Sequence, residues 1–276
     1  MHSETSVFDA LKASKYLELS DSPQLDCQLI LSHYLGKPRT WLLSHDDYIL
    51  SSKELISFNA AIEKRRLDLP LAYIVGKQDF WSLTFRVNEA TLIPRPETEL
   101  IVETILERFP NEEMTIIDLG TGAGPIAISI ANERSKFDIY ATDMSFDALS
   151  LAKENACQTT NNVTFVQCDW LSAFDDKQFD IIISNPPYIE AENEYLCALK
   201  HEPITALVAE ECGLSDIKLI ISSAKNKLKP GGMVIVEHGF DQQLAVKHIL
   251  LEHGFTGIEL LQDLAGQDRV ALAIRP

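Results

Sequence analysis

Strand-like and helical segments alternate along most of the second half of the chain, and this alternation constrains the fold more than any other feature. Apolar, β-branched runs typical of buried strands occur at residues 115–119, 138–142, 163–168, 179–184 and 233–237. Helical patterns lie between or after them, at residues 125–134, 146–159, 215–228 and 241–253. Because such alternation builds crossover units of strand, helix and strand, we predict an α/β fold with a doubly wound, mostly parallel sheet.

Two more strand-like segments end the chain, at residues 256–262 and 269–275. The link between them centres on Ala265-Gly266-Gln267-Asp268. A link this short permits an antiparallel pair and cannot hold a crossover helix. We therefore expect a seven-stranded sheet whose last two strands are antiparallel.

The N-terminal part has a different pattern. Apolar residues recur at helical spacing from residue 5 to about residue 68, whereas residues 80–87 are aromatic and β-branched. We predict a helical bundle over residues 1–70, a β-hairpin linker over residues 71–95 and the α/β domain over residues 96–276. The helical part contains no recognisable catalytic cluster, so packing or partner recognition is its expected role.

Four residues, Asn185-Pro186-Pro187-Tyr188, follow the apolar run at residues 179–184. Successive prolines lack the donors of a sheet ladder, so the strand ends here and its carboxyl edge carries the asparagine. Ligands bind at that edge in open α/β sheets. The asparagine oxygen and a neighbouring backbone carbonyl can accept both N–H bonds of a planar NH2 group, with the tyrosine ring on its π face. The structural alternative is a proline-stiffened loop that caps the strand.

A glycine-rich turn, Gly120-Thr121-Gly122-Ala123-Gly124, follows the first predicted strand of the α/β domain. Glycine permits a sharp turn and a close approach of the backbone to a ligand. The helix that begins there offers free N–H groups and the positive end of its dipole, so we expect a carboxylate or phosphate to bind. NAD-binding proteins use a similar turn, although their spacing is G-x-G-x-x-G.

Acidic and aromatic residues end the next two predicted strands. Asp143 lies about as far beyond the glycines as an acid that binds a ribose diol, and its structural alternative is a helix N-cap. Asp169 and Trp170 can receive an adenine amino group and ring, unless Trp170 is a core residue. Polar groups at three successive strand ends together predict a site for a nucleoside with a charged tail.

Residues 92–99 contain two prolines that exclude regular structure, before a helix expected from about Thr98 to Phe109. Two interpretations are open. The segment is either a linker with a helix start, or a rigid strap that presents Arg95 or the first-turn amides to a charged ligand. The role of Glu97 is also left open.

Composition limits the classes of partner. The 24 basic and 41 acidic residues give a net charge of −17, which argues against direct binding of nucleic acid. Five cysteines without a C-x-x-C pair and seven scattered histidines predict reduced thiols and no metal site. The chain begins without the basic and apolar regions of a signal peptide, and no apolar run approaches the roughly 20 residues that span a bilayer. We expect a cytoplasmic protein that binds no membrane.

The order of these motifs resembles that of class I S-adenosylmethionine-dependent methyltransferases, which have a Rossmann-like domain. Flanking segments narrow the resemblance. These segments are residues 92–99, 185–189, Glu202-Pro203, Glu237-His238-Gly239 and 263–270. Behind an N-terminal helical region, they resemble the peptide chain release factor N5-glutamine methyltransferases of the PrmC/HemK type.

The resemblance implies S-adenosyl-L-methionine as the cofactor and the glutamine of the Gly-Gly-Gln motif in class 1 release factors as the substrate. It implies that the turn from Gly120 to Gly124 lines the methionine moiety, Asp143 the ribose and Trp170 the adenine. It further implies a recognition role for the helical bundle. We expect a monomer.

The catalytic role falls, by the same resemblance, to Asn185, Pro186, Pro187 and Tyr188, which would hold the glutamine amide beside the sulfonium methyl. Asn185 would then contact the cofactor as well. Other functions stay open at this stage: an amino-methyltransferase that acts on adenine or guanine in nucleic acid, a nicotinamide-dependent dehydrogenase, and a non-catalytic adaptor.

Overall fold

The computed structural model describes residues 4–159 and 162–276. Residues 1–3, at the start of the predicted helical bundle, lie outside that part of the chain. The chain divides into two compact units, Met1–Lys77 and Gln78–Pro276. Each unit is described by itself.

Helices form the first unit, as the apolar spacing predicts. They are α1 (Val7–Leu11), a 3-10 turn (Lys12–Tyr16), α2 (Pro23–Leu35), α3 (Arg39–Ser44), α4 (Ser52–Arg66) and α5 (Leu71–Val75). Helix α4 begins with a capping box between Ser51 and Glu54. Helix α5 differs from expectation, because its residues were predicted to lie in the hairpin segment. Its Ile74 is buried in the apolar core of this unit, which explains why the sequence is helical there.

The predicted hairpin is present as β1 (Lys77–Phe80) and β2 (Leu83–Arg86). Phe80 and Phe85 are buried in the core of the second unit, with their rings in edge-to-face contact at a centroid distance of 6.1 Å. The residues after β2 lead through a 3-10 turn (Pro96–Thr98) into α6 (Glu99–Arg108). The segment that contains Pro94 and Pro96 is irregular up to this turn, as predicted.

The second unit contains the seven-stranded sheet. Its strands are β3 (Met114–Leu119), β4 (Phe137–Asp143), β5 (Val163–Gln167), β6 (Phe179–Ser184), β7 (Leu228–Glu237), β8 (Thr256–Gln262) and β9 (Asp268–Ile274). Its other helices are α7 (Pro125–Glu133), α8 (Phe146–Thr159), α9 (Glu210–Gly213), α10 (Ser215–Lys227) and α11 (Gln243–Glu252), with 3-10 turns at Glu194–Cys197 and Ile204–Ala206. The order is β5-β4-β3-β6-β7-β9-β8, and β9 is antiparallel to both of its neighbours. The predicted α/β fold is confirmed, including the antiparallel final pair.

Strand β3 lies at the centre of the sheet, with β4 on one side and β6 on the other. The chain runs outward from β3 to β5 and then returns to β6, so the winding direction reverses between β3 and β6. The parallel registers place Leu119 beside Thr142 and Ser184, and Ser184 beside Val236. The carboxyl ends of four adjacent strands therefore meet where an open α/β sheet binds its ligands.

Apolar side chains cover both faces of the sheet. Ile116 and Ile117, neighbours on β3, are both fully buried but belong to different core clusters. Strands buried on both faces read as continuous apolar runs, which is why these segments were recognisable in the sequence. No helix in the described part of the chain is both long and apolar enough to span a membrane.

Candidate active site

A cavity of about 690 Å³ lies at the carboxyl ends of β3, β4 and β6. Most of the predicted site residues line it. They are Gly120, Thr121, Gly122, Ala123, Asp143, Trp170, Asn185 and Pro187. Gly124, Pro186 and Tyr188 are not among the lining residues. The structure thus brings the glycine-rich turn and Asn185, which are far apart in the sequence, to one cavity.

The glycine-rich turn requires its glycines for backbone reasons. Gly120, Gly122 and Gly124 have φ angles of 67°, 57° and 86°, in the region that L side chains rarely adopt. A Cβ atom at Gly120 would also lie 3.2 Å from the six-membered ring of Trp170. Helix α7 begins directly after the turn, with Pro125 at its first position. The positive end of a nine-residue helix is therefore directed to the turn.

Asp143 braces this turn. Its Oδ2 accepts a hydrogen bond from the Gly122 backbone N–H at 3.0 Å, and its Oδ1 accepts one from the Ser145 N–H at 2.8 Å. Burial raises the pKa of the Asp143 carboxyl despite these bonds. The Ser145 hydroxyl accepts from the Ala148 N–H at 3.2 Å, so Ser145 rather than Asp143 caps the helix that follows.

A second acid, Asp118, contacts the turn but does not line the cavity. Asp118 is 1 % exposed, and its Oδ2 accepts a hydrogen bond of 2.6 Å from the Thr121 hydroxyl. Its Oδ1 has no hydrogen-bond partner in the described residues. Burial raises the pKa of Asp118 to about 7. Asp118 thus holds the turn through the Thr121 hydroxyl, whereas Asp143 holds it through the Gly122 backbone N–H.

Asn155 on α8 ties the turn to the hairpin. Its Nδ2 donates to the carbonyl oxygens of Ala123 and Arg86, at 2.9 and 3.1 Å. Its Oδ1 accepts from the Arg86 N–H at 2.8 Å. Both N–H groups and the oxygen of this buried amide therefore bond to backbone groups, and one side chain joins two loops.

Trp170 has two roles in the structure, and both correspond to alternatives left open by the sequence. Its indole lines the cavity beside Gly120 and also packs on the apolar core on one face of the sheet. Asp169 and Asp216 line the same cavity. Burial, followed by the charges of Asp169 and Glu210, raises the pKa of Asp216. No group of three His, Cys, Asp or Glu side chains in the described part could hold a metal ion.

The Asn185-Pro186-Pro187-Tyr188 segment is held at both ends. Asn185 Nδ2 donates a 3.0 Å hydrogen bond to the Thr98 hydroxyl, and the Tyr188 hydroxyl donates one of 3.2 Å to Glu237 Oε1. Burial raises the pKa of Tyr188 and raises that of Glu237 to about 7. Tyr188 therefore anchors the segment through its hydroxyl, and its ring does not line the cavity.

The backbone carbonyl of Tyr188 is also engaged. Gln242 Nε2 donates to this carbonyl at 2.9 Å and to the Cys212 carbonyl at 3.0 Å. Cys212 and Gly213 have φ angles of 58° and 79°, and a Cβ at Gly213 would lie 2.1 Å from the Tyr188 oxygen. Only glycine fits this close approach, so the end of α9 supports the end of the segment.

The segment at residues 92–99 is a strap whose arginine is already paired. Arg95 forms an ion pair with Glu202, whose side chain is 3 % exposed. Glu202 Oε2 also accepts from the Ile93 N–H at 3.0 Å. Both Arg95 and Pro203 line the cavity. Glu202 therefore joins the strap to the loop that follows Tyr188.

Four residues with these supporting contacts were not identified as site residues from the sequence: Thr98, Asp118, Glu202 and Glu237. A sequence criterion exists for Glu237, because it ends a strand as Asp143 does. For Thr98 only a helix start was recognised. Its contact with Asn185 spans 87 residues, and no local pattern predicts it.

The fold and the cavity are those of an S-adenosylmethionine-dependent methyltransferase. Residues 96–206 match the methyltransferase small domain family, and residues 11–76 match the PrmC N-terminal domain family. The solved structure of a methyltransferase from Pyrococcus furiosus superposes with a TM-score of 0.53, at 19 % identity, over 69 % of this chain and 87 % of that one. The likeness to this solved structure concerns the fold alone.

Curated relatives identify the family. The release factor glutamine methyltransferase of Aliivibrio fischeri is 45 % identical over 261 residues, which cover 93 % of this chain and 92 % of the relative. That of Escherichia coli strain K12 is 39 % identical over 264 residues, which cover 95 % of each chain. The chain belongs to the release factor glutamine methyltransferase family, and the resemblance found in the sequence is confirmed.

Proposed function

We propose that this protein transfers a methyl group from S-adenosyl-L-methionine to the side-chain amide nitrogen, N5, of the glutamine in the Gly-Gly-Gln motif of class 1 peptide chain release factors. The observation that carries the proposal is the presence of Asn185 and the glycine-rich turn on the wall of one cavity. An acceptor for amide protons and a cradle for a nucleoside with a charged tail are thereby adjacent.

The residues of the cavity fit the cofactor. The turn at Gly120–Ala123 has no side chain larger than threonine, and the first turn of α7 supplies backbone N–H groups for a carboxylate. Asp143 would bind the ribose and Trp170 the adenine. Gly124 would act through the backbone shape of the turn. The cofactor supplies a methyl group on a sulfonium, which needs no further activation.

Asn185 would orient the nucleophile. An amide nitrogen is a poor nucleophile because its lone pair is delocalised into the carbonyl. If Asn185 Oδ1 and the Pro186 carbonyl accept both N–H bonds of the substrate amide, they fix the nitrogen and stabilise the positive charge that develops on it. Such alignment supplies on the order of 7 kcal/mol or more when it is fully realised. Pro187 and Tyr188 would keep these two oxygens in place.

We also infer the setting of the reaction. The helical bundle would recognise the release factor, because its residues contain no candidate catalytic cluster of their own. A net charge of −17 favours a basic protein partner and disfavours direct contact with nucleic acid. All five cysteines are unpaired, which suits the reducing cytoplasm. We propose a monomeric enzyme that does not bind membranes.

A labelling experiment tests the function. The full chain is incubated with methyl-labelled S-adenosylmethionine and either a class 1 release factor or nucleic acid. Label is expected on the Gly-Gly-Gln glutamine and should be absent when that glutamine is replaced by alanine. Label in adenine or guanine instead would overturn the protein substrate in favour of an amino-methyltransferase.

A further inference from the structure

The amide of Asn185 can face the cavity in two ways. An asparagine side chain carries a carbonyl oxygen on one side and an NH2 group on the other, and the two differ little in shape. Only the orientation with Oδ1 toward the cavity accepts an N–H bond from a substrate amide. The other orientation presents two donors to a group that is itself a donor. Something must therefore select one orientation.

Thr98 contacts the NH2 side of this amide. Asn185 Nδ2 donates to Thr98 Oγ1 at 3.0 Å, and Thr98 is only 3 % exposed. A hydroxyl can donate one hydrogen bond and accept others, so Thr98 alone does not determine the orientation. The partner that receives the Thr98 proton decides it.

Glu237 offers an acceptor for that proton. It is 1 % exposed, and burial raises its pKa, although the neighbouring Thr98 and Tyr188 hydroxyls lower it in part. Its Oε1 accepts the Tyr188 hydroxyl, whereas its buried Oε2 has no hydrogen-bond partner among the described residues and is therefore open to the Thr98 proton. In its ionised form this carboxylate can only accept. In that form the Thr98 proton is directed to Glu237, and the Thr98 oxygen is left to accept from Asn185 Nδ2.

We propose that Thr98 and Glu237 are positioning residues that hold the Asn185 amide with Oδ1 toward the cavity. This inference rests on the proposed function, because it concerns how Asn185 receives the substrate amide. The relay runs from Glu237 at the end of β7 to Thr98 in the strap segment and then to Asn185 after β6. Tyr188 attaches the other end of the same motif to the same carboxylate. One buried carboxylate thus fixes both ends of the motif.

Reversal of the amide would remove several contacts together. Oδ1 would then face Thr98, whose proton would have to leave Glu237 and turn to Asn185. A buried carboxylate would lose a donor. The loss of a hydrogen bond that leaves a buried group unpaired corresponds to roughly a tenfold to hundredfold change in an equilibrium. The relay can therefore keep the productive orientation dominant.

Threonine variants of the full chain test the relay. Thr98→Val removes the hydroxyl and keeps the shape, so we expect kcat for release factor methylation to fall about tenfold to a hundredfold. KM for the release factor and the calorimetric Kd for S-adenosylmethionine should change little. Thr98→Ser, which retains the hydroxyl, should restore most of the lost kcat. The matched control is Thr104→Val, because Thr104 is also buried but, among the described residues, its hydroxyl bonds only to the Leu100 carbonyl within α6.

Glu237→Gln tests the relay from its other end and leaves Thr98 itself unchanged. Its amide NH2 group can donate to the Thr98 hydroxyl, which then donates to Asn185 and favours the reversed amide. We expect a loss of kcat with unchanged cofactor affinity, and a loss similar to that of Thr98→Val when both changes are combined. Wild-type kcat in Thr98→Val or in Glu237→Gln would overturn the inference, as would an equal loss in Thr104→Val. Failure of the wild-type protein to methylate glutamine would instead overturn the proposed function.

Discussion

Asp143 Oδ2 and the backbone nitrogen of Gly122 lie 3.0 Å apart, so the acid at the end of β4 holds the turn at the end of β3. The contact joins two adjacent parallel strands at their carboxyl edge, where Leu119 pairs with Thr142. A carboxylate that accepts a backbone N–H forms a charge-assisted bond, which is stronger than a neutral one. Asp143 therefore supports the shape of the proposed cofactor site in addition to its proposed contact with ribose.

Asp143→Asn should weaken the binding of S-adenosylmethionine. The substituted amide keeps one oxygen for either Gly122 or Ser145, and its NH2 group cannot accept from the other. We expect Kd to rise by about tenfold to a hundredfold, which corresponds to roughly 1.4 to 2.8 kcal/mol. Calorimetry measures this change. Asp138→Asn, an exposed position on the same strand, is the control and should bind as the wild type does. Equal affinity in the two variants would contradict the role of Asp143.

Gly120→Ala should damage the turn in two ways. The backbone φ of 67° is strained for alanine, and the new methyl group would lie 3.2 Å from Trp170. Gly266→Ala is the matched control, since its φ is 77° but nothing lies within 4 Å of the added atom. Each variant should lose about 1 kcal/mol of stability from strain. Only Gly120→Ala should also lose cofactor affinity, and an unaltered Kd would show that the contact with Trp170 is unimportant.

The sequence was sufficient to predict the place of a site residue where that place followed from the strand the residue ends or follows. Asn185, Asp143 and Gly120 each come directly after an apolar run, and parallel strands bring their carboxyl ends to one edge. The prolines in the Asn185 motif ended β6 at the predicted place because they cannot donate to a ladder. Local physical rules were enough for these elements.

The supporting contacts could not be predicted in this way. Tyr188 meets Glu237 across 49 residues, and Arg95 meets Glu202 across 107 residues. These contacts depend on which strands become neighbours and on how a loop returns to the sheet. The prediction for Leu71–Val75 was wrong for a related reason. These five residues were assigned to the neighbouring hairpin segment, whereas they form a helix whose Ile74 is buried in the core of the helical unit. Tertiary burial determined the structure there.

Asn185→Ala should abolish methyl transfer while cofactor binding remains largely intact. The variant loses the proposed acceptor for the substrate amide, whereas the contacts of Asp143 and Asp118 with the glycine-rich turn are unchanged. We expect kcat to fall by at least about a hundredfold, as for loss of a preorganised charge-stabilising group. Kd for S-adenosylmethionine should stay within a few-fold of wild type. The exposed Asn88, before the strap, provides an Asn→Ala control. Wild-type turnover in Asn185→Ala would refute the assigned role.

Asp118 should make the stability of the protein depend on pH near neutrality. Burial raises its pKa in the folded protein from 3.8 to about 7, so between these values the folded state binds more protons than the unfolded state. The free energy of unfolding should therefore fall as pH rises through this interval and level off above about pH 7.

Asp118→Asn removes this titration but keeps an oxygen that can accept the Thr121 hydroxyl. The loss of stability between about pH 5 and pH 8 should shrink by on the order of 1 to 3 kcal/mol relative to wild type. Urea unfolding of the cofactor-free protein at both pH values measures the difference. Glu89→Gln, at an exposed position, should keep the wild-type pH dependence. If Asp118→Asn also kept the wild-type pH dependence, Asp118 would already be ionised in the folded protein over this interval. The Thr121 hydroxyl would then donate to a charged carboxylate.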